Sequence, residues 1–296
     1  MAITLSRASN IFHSCRKPAF LAGHPGHELK VFGWVAEYKP RVYVITEGSG
    51  RQGVPRLSST AQLLAGLGVE KDRVFGWISD RDLYRATLAR DTGLFLALLD
   101  CITESFIVNC VDLVVGDAME GFNPAHDLCR TLVDASVEAV SRKTGRRIPN
   151  YKFCLTEWER SRREHHGPEC SHFILDNQAL HTKMEAAEKY AELKDEVHEA
   201  IAIRGKEYFR IECLKTVSEP FCQWDYSGTP EYEIRGEQRV AEGVYPAVIR
   251  FEQHVLPIAA AIRSHAAGSR AYGIGADTAR RSPTDSVRRE GIQVPG

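Results

Sequence analysis

The feature that most restricts this chain is an alternation of buried-strand and amphipathic-helix patterns between residues 18 and 160. Within Pro18–Gly23, the run Ala19-Phe20-Leu21-Ala22 reads as a short buried strand stopped by glycine. Glu28 to Tyr38 sets Leu29, Val31, Phe32 and Val35 at helical spacing. Pro40 ends that helix, because the residue before a proline avoids the helical region. Arg41 to Thr46 is β-branched and aromatic, a strand by composition. A glycine-rich loop, Glu47 to Gly53, leads to a helix over Ser58–Leu67, with Ser58 or Ser59 as N-cap and Gly68 as stop. Val74 to Trp77 is a short strand, Leu83 to Val108 two helices broken near Asp91-Thr92-Gly93, and Val111 to Gly116 a buried strand. His126 to Arg142 carries an apolar stripe of Leu128, Leu132, Val133, Val137 and Val140, and Lys152 to Leu155 is a further strand. This order predicts an α/β fold, Rossmann-like, with a mostly parallel sheet and helices on both faces.

Beyond residue 160 the pattern changes. Leu180 to Ile203 reads as one long helix with a solvated, mixed-charge face, Lys206 to Leu214 as a strand, and Val244 to Ile262 as a last helix interrupted near Pro257. The expected organisation is an irregular segment 1–17, one α/β domain over 18–265 with its core in 18–160, and a disordered tail 266–296 rich in Gly, Ser and Arg. A net charge of −1 gives no electrostatic reason to expect nucleic acid or an anionic membrane as partner. No apolar run approaches the ~20 residues of a membrane span, and no secretory leader is visible. The eight cysteines are scattered without a C-x-x-C pair, which fits reduced thiols in the cytoplasm.

In a doubly wound sheet, ligands gather where strands end and loops begin. Three such loops carry polar chemistry. The first, Gly23-His24-Pro25-Gly26-His27-Glu28, sets two imidazoles and a carboxylate on a tight turn. Imidazole is the commonest side-chain metal ligand, and His-x-x-His can share one ion if a third ligand comes from elsewhere. The second holds Glu47 and is followed by Arg56. The third runs from Asp117 past Glu120 and Asn123 to His126, a candidate third ligand.

These residues resemble the PIG-L/LmbE family of zinc-dependent N-deacetylases. Its A-H-P-D-D-E motif compares with Gly23-His24-Pro25-Gly26-His27-Glu28, and its H-P-D-H motif with Asn123-Pro124-Ala125-His126. Its T-x-G loop compares with Thr46-Glu47-Gly48, and its R-x-x-E helix, ending Leu-Gly-Val, with Arg56-Leu57-Ser58-Ser59 ending Leu67-Gly68-Val69. The likeness spans roughly residues 19–142. It implies a Rossmann-like fold and a metal-dependent hydrolase that deacylates an N-acyl or ester group on a sugar-like or small-metabolite substrate through a metal-bound water. His24, His27 and His126 would hold zinc or another divalent transition metal, with His27 in place of an aspartate ligand. Asn123 would stand for the histidine that stabilises the oxyanion, and Arg56, Glu47 and Glu120 would meet substrate.

One departure bears on the chemistry: Gly26 occupies the position of the family's general base. A relocated base is sought among Asp117, Glu120, Glu28 and Glu47, with Asp117 first because it ends a strand facing the proposed metal. Glu28 has the alternative roles of capping a helix or holding a ligand histidine through its second nitrogen. The alternative function is a re-purposed site, either a ligand-binding accessory protein or a non-hydrolytic metal enzyme, since three histidines also suit other transition metals. Plainer roles stand beside each assignment: exposed turn histidines, a helix-start His126, loop caps at Asp117 and Glu120, a surface Arg56. His165, His166, Cys170 and His172 form a second, weaker metal-like cluster in a charged stretch. Gly48, Gly50 and Gly53 lack the Lys-Ser or Lys-Thr that a P-loop needs.

Overall fold

The structure is a computed structural model that describes residues 3–6, 11–50, 53–156, 170–218 and 228–268. The parallel sheet predicted from the alternation is present. Strand β2 (Pro18–Ala22) pairs in parallel with β3 (Arg41–Thr46) on one side and with β5 (Leu113–Asp117) on the other. Strand β3 continues to β4 (Lys71–Ile78) and β5 to β6 (Asn150–Phe153), both in parallel. The spatial order β4-β3-β2-β5-β6 therefore reverses direction between β2 and β5. A crevice opens at such a reversal, because the loops leaving the two strands turn to opposite faces.

Alternate residues of each strand supply the two faces. Leu21, Tyr43, Ile45 and Val114 pack one side with helices α4 (Asp80–Ala89), α5 (Thr92–Val108), α6 (Pro124–Thr144) and α10 (Leu256–Ala266). Phe20, Ala22, Val42, Val44, Leu113 and Val115 pack the other with α2 (Phe32–Tyr38) and α3 (Leu57–Leu67). Because both faces are covered, the strands read as continuous apolar runs rather than alternating ones.

Several expectations from sequence are corrected. The first 17 residues are not all irregular: β1 (Ile3–Ser6) pairs antiparallel with β7 (Cys170–Leu175), and α1 (Ile11–Ser14) follows. Strand β7 pairs antiparallel with β8 (Ile211–Thr216), and β8 with β6, so three antiparallel strands extend the sheet. The strand expected over Lys206–Leu214 thus begins later, after a 3-10 turn, Lys206–Arg210. The long helix over Leu180–Ile203 is two helices, α7 (Asn177–Glu188) and α8 (Lys194–Arg204). It breaks where the Tyr190 side chain turns into the core to meet the Thr60 hydroxyl at 2.5 Å. Helix α9 (Glu231–Ala241) was not foreseen, and the last helix starts at Phe251 rather than Val244. Its irregularity next to Pro257 is a π-helical segment, Phe251–Val255, that runs straight into α10, with Pro257 in the first turn of α10. Neither Ser58 nor Ser59 caps α3, whose N-cap position is Arg56. His165 and His166, and the tail from 269 onward, lie outside the described residues. Among the described residues no helix is long and apolar enough to cross a membrane.

Candidate metal centre

The loops after β2 and β5 flank the reversal point and bring three histidines together. His24 and His27 come from the first loop and His126 from the second, in the first turn of α6. Ring centres are 5.5 Å apart for His24–His27, 5.0 Å for His24–His126 and 4.6 Å for His27–His126. Imidazoles bound at about 2.0–2.1 Å around one tetrahedral ion have centres roughly 5 Å apart. All three side chains are buried. Among the described residues no group of three or more His, Cys, Asp or Glu side chains is arranged as it stands to hold a metal ion, so what the three histidines show is their ring spacing.

The surrounding hydrogen bonds assign tautomers. The Thr46 hydroxyl donates to the Gly23 carbonyl at 3.0 Å, so its oxygen accepts from His24 Nδ1 at 2.6 Å. His24 Nε2 is then the lone-pair nitrogen, 3.3 Å from the Asn123 amide nitrogen. That amide's orientation is fixed as well, because Asn123 is the N-cap of α6 and its Oδ1 accepts the Ala125 N–H at 2.9 Å. His27 donates Nδ1–H to Asp117 Oδ1 at 2.8 Å, leaving Nε2 with its lone pair. His126 Nδ1 is buried with no hydrogen-bond partner. Burial lowers the pKa of His27 against the opposing pull of Asp117, and burial, with the nearby His27, His24 and Arg56 disfavouring a further positive charge, lowers that of His126 well below 6.5. Three imidazoles, two of them held neutral by burial and one with an orphaned buried nitrogen, are a donor set of the kind that binds a divalent transition ion.

Asp117 does not stand free as a base. It is fully buried, and its second oxygen accepts the Gly23 N–H at 2.7 Å. Gly23 permits this approach, since a Cβ there would lie 3.1 Å from Asp117 Oδ2 and 3.3 Å from the Ala125 carbonyl. Glu28 touches no histidine in a hydrogen bond; it caps its own turn, accepting from Gly26 N–H at 2.8 Å and from the Thr60 hydroxyl at 2.8 Å. Burial raises its pKa. Glu120 pins the loop after β6 through Leu155 and Thr156, Glu47 accepts from Ser49 and from the Asp80 N–H, and Arg56 donates to the Gly48 carbonyl. These three hold loops and do not line the large cavity that reaches His24.

Sequence reasoning missed Asp80. It opens α4 directly after β4, on the same sheet edge as the other loops, and that placement was the signal available. Its Oδ1 is 3.3 Å from His24 Nδ1, an ion-pair distance without hydrogen-bond alignment, and its Oδ2 accepts the Gly50 N–H at 2.5 Å. Burial pushes its pKa up, but His24, Thr46 and the Gly50 amide outweigh burial and hold the carboxyl well below the usual range.

The Gly26 position is closed. Its φ is 101°, and a Cβ there would sit 2.5 Å from Leu193 Cδ1, on the connection between α7 and α8.

No family model matches the chain, and no curated protein matches it. Among solved structures it is similar in fold to an antimicrobial pseudoaglycone deacetylase, at 13% identity over 71% of this chain and 100% of that one, TM-score 0.46. It is similar also to the zinc-inhibited form of a teicoplanin deacetylase (11% identity, 69% and 99% covered, TM-score 0.44) and to a deacetylase–teicoplanin complex (12% identity, 68% and 97% covered, TM-score 0.43).

Proposed function

We propose that this chain is a metal-dependent hydrolase that removes an acyl group from the nitrogen, or an oxygen, of a sugar-like or small-metabolite substrate. The observation that carries the reading is the convergence of three buried imidazoles from two loops at the sheet's reversal point, with the back nitrogens of two tied to oxygen acceptors. His24, His27 and His126 would hold zinc or a similar divalent ion. When bound, such an ion supplies Lewis-acid chemistry, lowering the pKa of water and polarising a carbonyl.

The chain's own groups do the rest. Asp117 fixes the tautomer of His27 and raises its basicity, the role of a carboxylate behind a ligand histidine. Thr46 fixes the tautomer of His24 by accepting its Nδ1–H. Asn123, held rigid by its N-cap bond, presents an amide N–H beside His24 and donates to the oxygen that gains charge. With Asp117 committed to His27, proton transfer passes to Asp80. It lines the cavity, has an unpartnered oxygen and is ionised at neutral pH, though weakly basic.

The closed position at Gly26 favours one second reading, in which the same pocket binds a ligand without turning it over. Measuring metal content and deacetylation of acetylated amino sugars decides between them. The hydrolase reading expects about one equivalent of metal, turnover, and loss of both in His126→Ala. Metal with no turnover on any acyl substrate favours the binding reading. A protein purified without chelator that holds no stoichiometric metal refutes the proposed site.

A further inference from the structure

A cavity of about 770 Å³ runs from His24 and Asn123 to the surface between α4 and α9. Among the described residues of its lining, four arginines face a single acidic side chain, Asp80. Arg81 and Arg85 stand on α4, Arg235 and Arg239 on α9. The excess positive charge is local, since the whole chain carries −1. A cleft with low-dielectric walls concentrates such a field and draws oppositely charged ligands.

The arginines have acidic neighbours, but those pairs leave them available. Arg85 meets Asp82 at 3.4 Å, Arg235 meets Glu231, and Arg239 meets Glu242 at 2.7 Å. Each pair is formed within or at the end of one helix, three or four residues apart and open to solvent, so water and salt screen it and it holds the arginine only weakly. A ligand oxyanion offering bidentate bonds competes well against that.

Arg235 is also positioned relative to the histidines. Its guanidinium lies 4.4 Å above the Phe122 ring, and Phe122 is 6.3 Å from the His126 ring. The charge therefore sits two ring contacts from the triad. Between the charges the cavity is aromatic. Tyr84 and Tyr245, with rings 5.4 Å apart, join α4 to the segment after α9, and the Tyr84 hydroxyl donates to the Ala247 carbonyl.

We infer that the cavity selects a substrate bearing an oxyanion, phosphate or carboxylate, held by Arg235 and Arg239 with Arg81 and Arg85 opposite, while the neutral acyl-bearing end reaches the histidines. This rests on the proposed site for the identity of the reacting end, but the anion preference is a binding property and is measured separately.

The test is calorimetric titration of the full-length protein, wild type and His126→Ala, with three probes: N-acetylglucosamine, N-acetylglucosamine 1-phosphate and N-acetylmuramic acid. At least one charged probe is expected to bind roughly tenfold or more tightly than the neutral one, with the gap narrowing as salt rises. The gap is expected to persist in His126→Ala, so failure of the hydrolase reading leaves this result standing. Arg235→Gln/Arg239→Gln should remove most of it. Arg81→Gln, an exposed substitution, gives a second measure should the double variant unfold, and should narrow the gap. Equal binding of all three probes to the wild type overturns the proposal, as does a gap that survives in every folded arginine variant.

Discussion

Gly26 offers the sharpest test, because two separate physical terms meet at one atom. Its φ of 101° lies where side chains are strained, and a Cβ would approach Leu193 Cδ1 to 2.5 Å. The backbone term for Gly26→Ala is about 1–2 kcal/mol. The steric term is ~1 kcal/mol, at the low end of overpacking costs, because the obstructing atom is a terminal methyl that can swing aside. The total expected loss is ~2–3 kcal/mol, read as a shift in urea midpoint at constant slope. Two companions separate the terms. Gly26→Asn keeps the Cβ but tolerates positive φ, and should recover part of the backbone term. Leu193→Ala in the Gly26→Ala background should recover the steric term, giving a coupling of at least ~0.5 kcal/mol. A Gly26→Ala protein within ~0.5 kcal/mol of wild type, or a double mutant that is simply additive, refutes the reasoning. By the same logic Gly26→Asp does not restore a base cleanly: the carboxylate enters only by displacing the Leu193 side chain.

Two further outcomes follow from the site. Asp117→Asn takes a charged acceptor from His27 and from the Gly23 amide, and is expected to weaken metal affinity by roughly 10–100-fold in competition titrations with a chromophoric chelator; unchanged affinity excludes the positioning role. In metal-free protein, His27 and His126 have folded pKa values below 6.5, so the unfolded chain takes up protons first as pH falls. Stability is then intact above about pH 6.5 and is lost below it, with a slope approaching ~1.4 kcal/mol per pH unit for each histidine. His126→Leu should flatten thermal melts measured across that range, and an equally steep loss in the variant contradicts the assignment.

How much was legible follows the range of the interactions. The strands β2, β3 and β5 are apolar runs ended by glycine or polar loops, and the helices between them repeat at 3.6 residues, so local pattern carried the parallel core. That core in turn put the His24, Asp117 and His126 loops on one sheet edge. The antiparallel extension was not legible: β1 and β7 are short, only half apolar, and lie some 170 residues apart, so only pairing makes them strands. The break at Tyr190 was hidden for a similar reason, since it depends on a hydroxyl partner at Thr60.

The site divides in the same way. The residue types and their order along the chain determined that three imidazoles lie on loops after parallel strands. Only the tertiary structure decided what each neighbouring carboxylate does. Asp117 became a histidine's anchor, Glu28 a turn cap, and the unforeseen Asp80 the acid beside His24, because burial fixes a carboxylate's role through whichever N–H and O–H donors it meets. Those partners come from Gly23, Gly26, Thr60 and Gly50, and spacing alone ranks none of them.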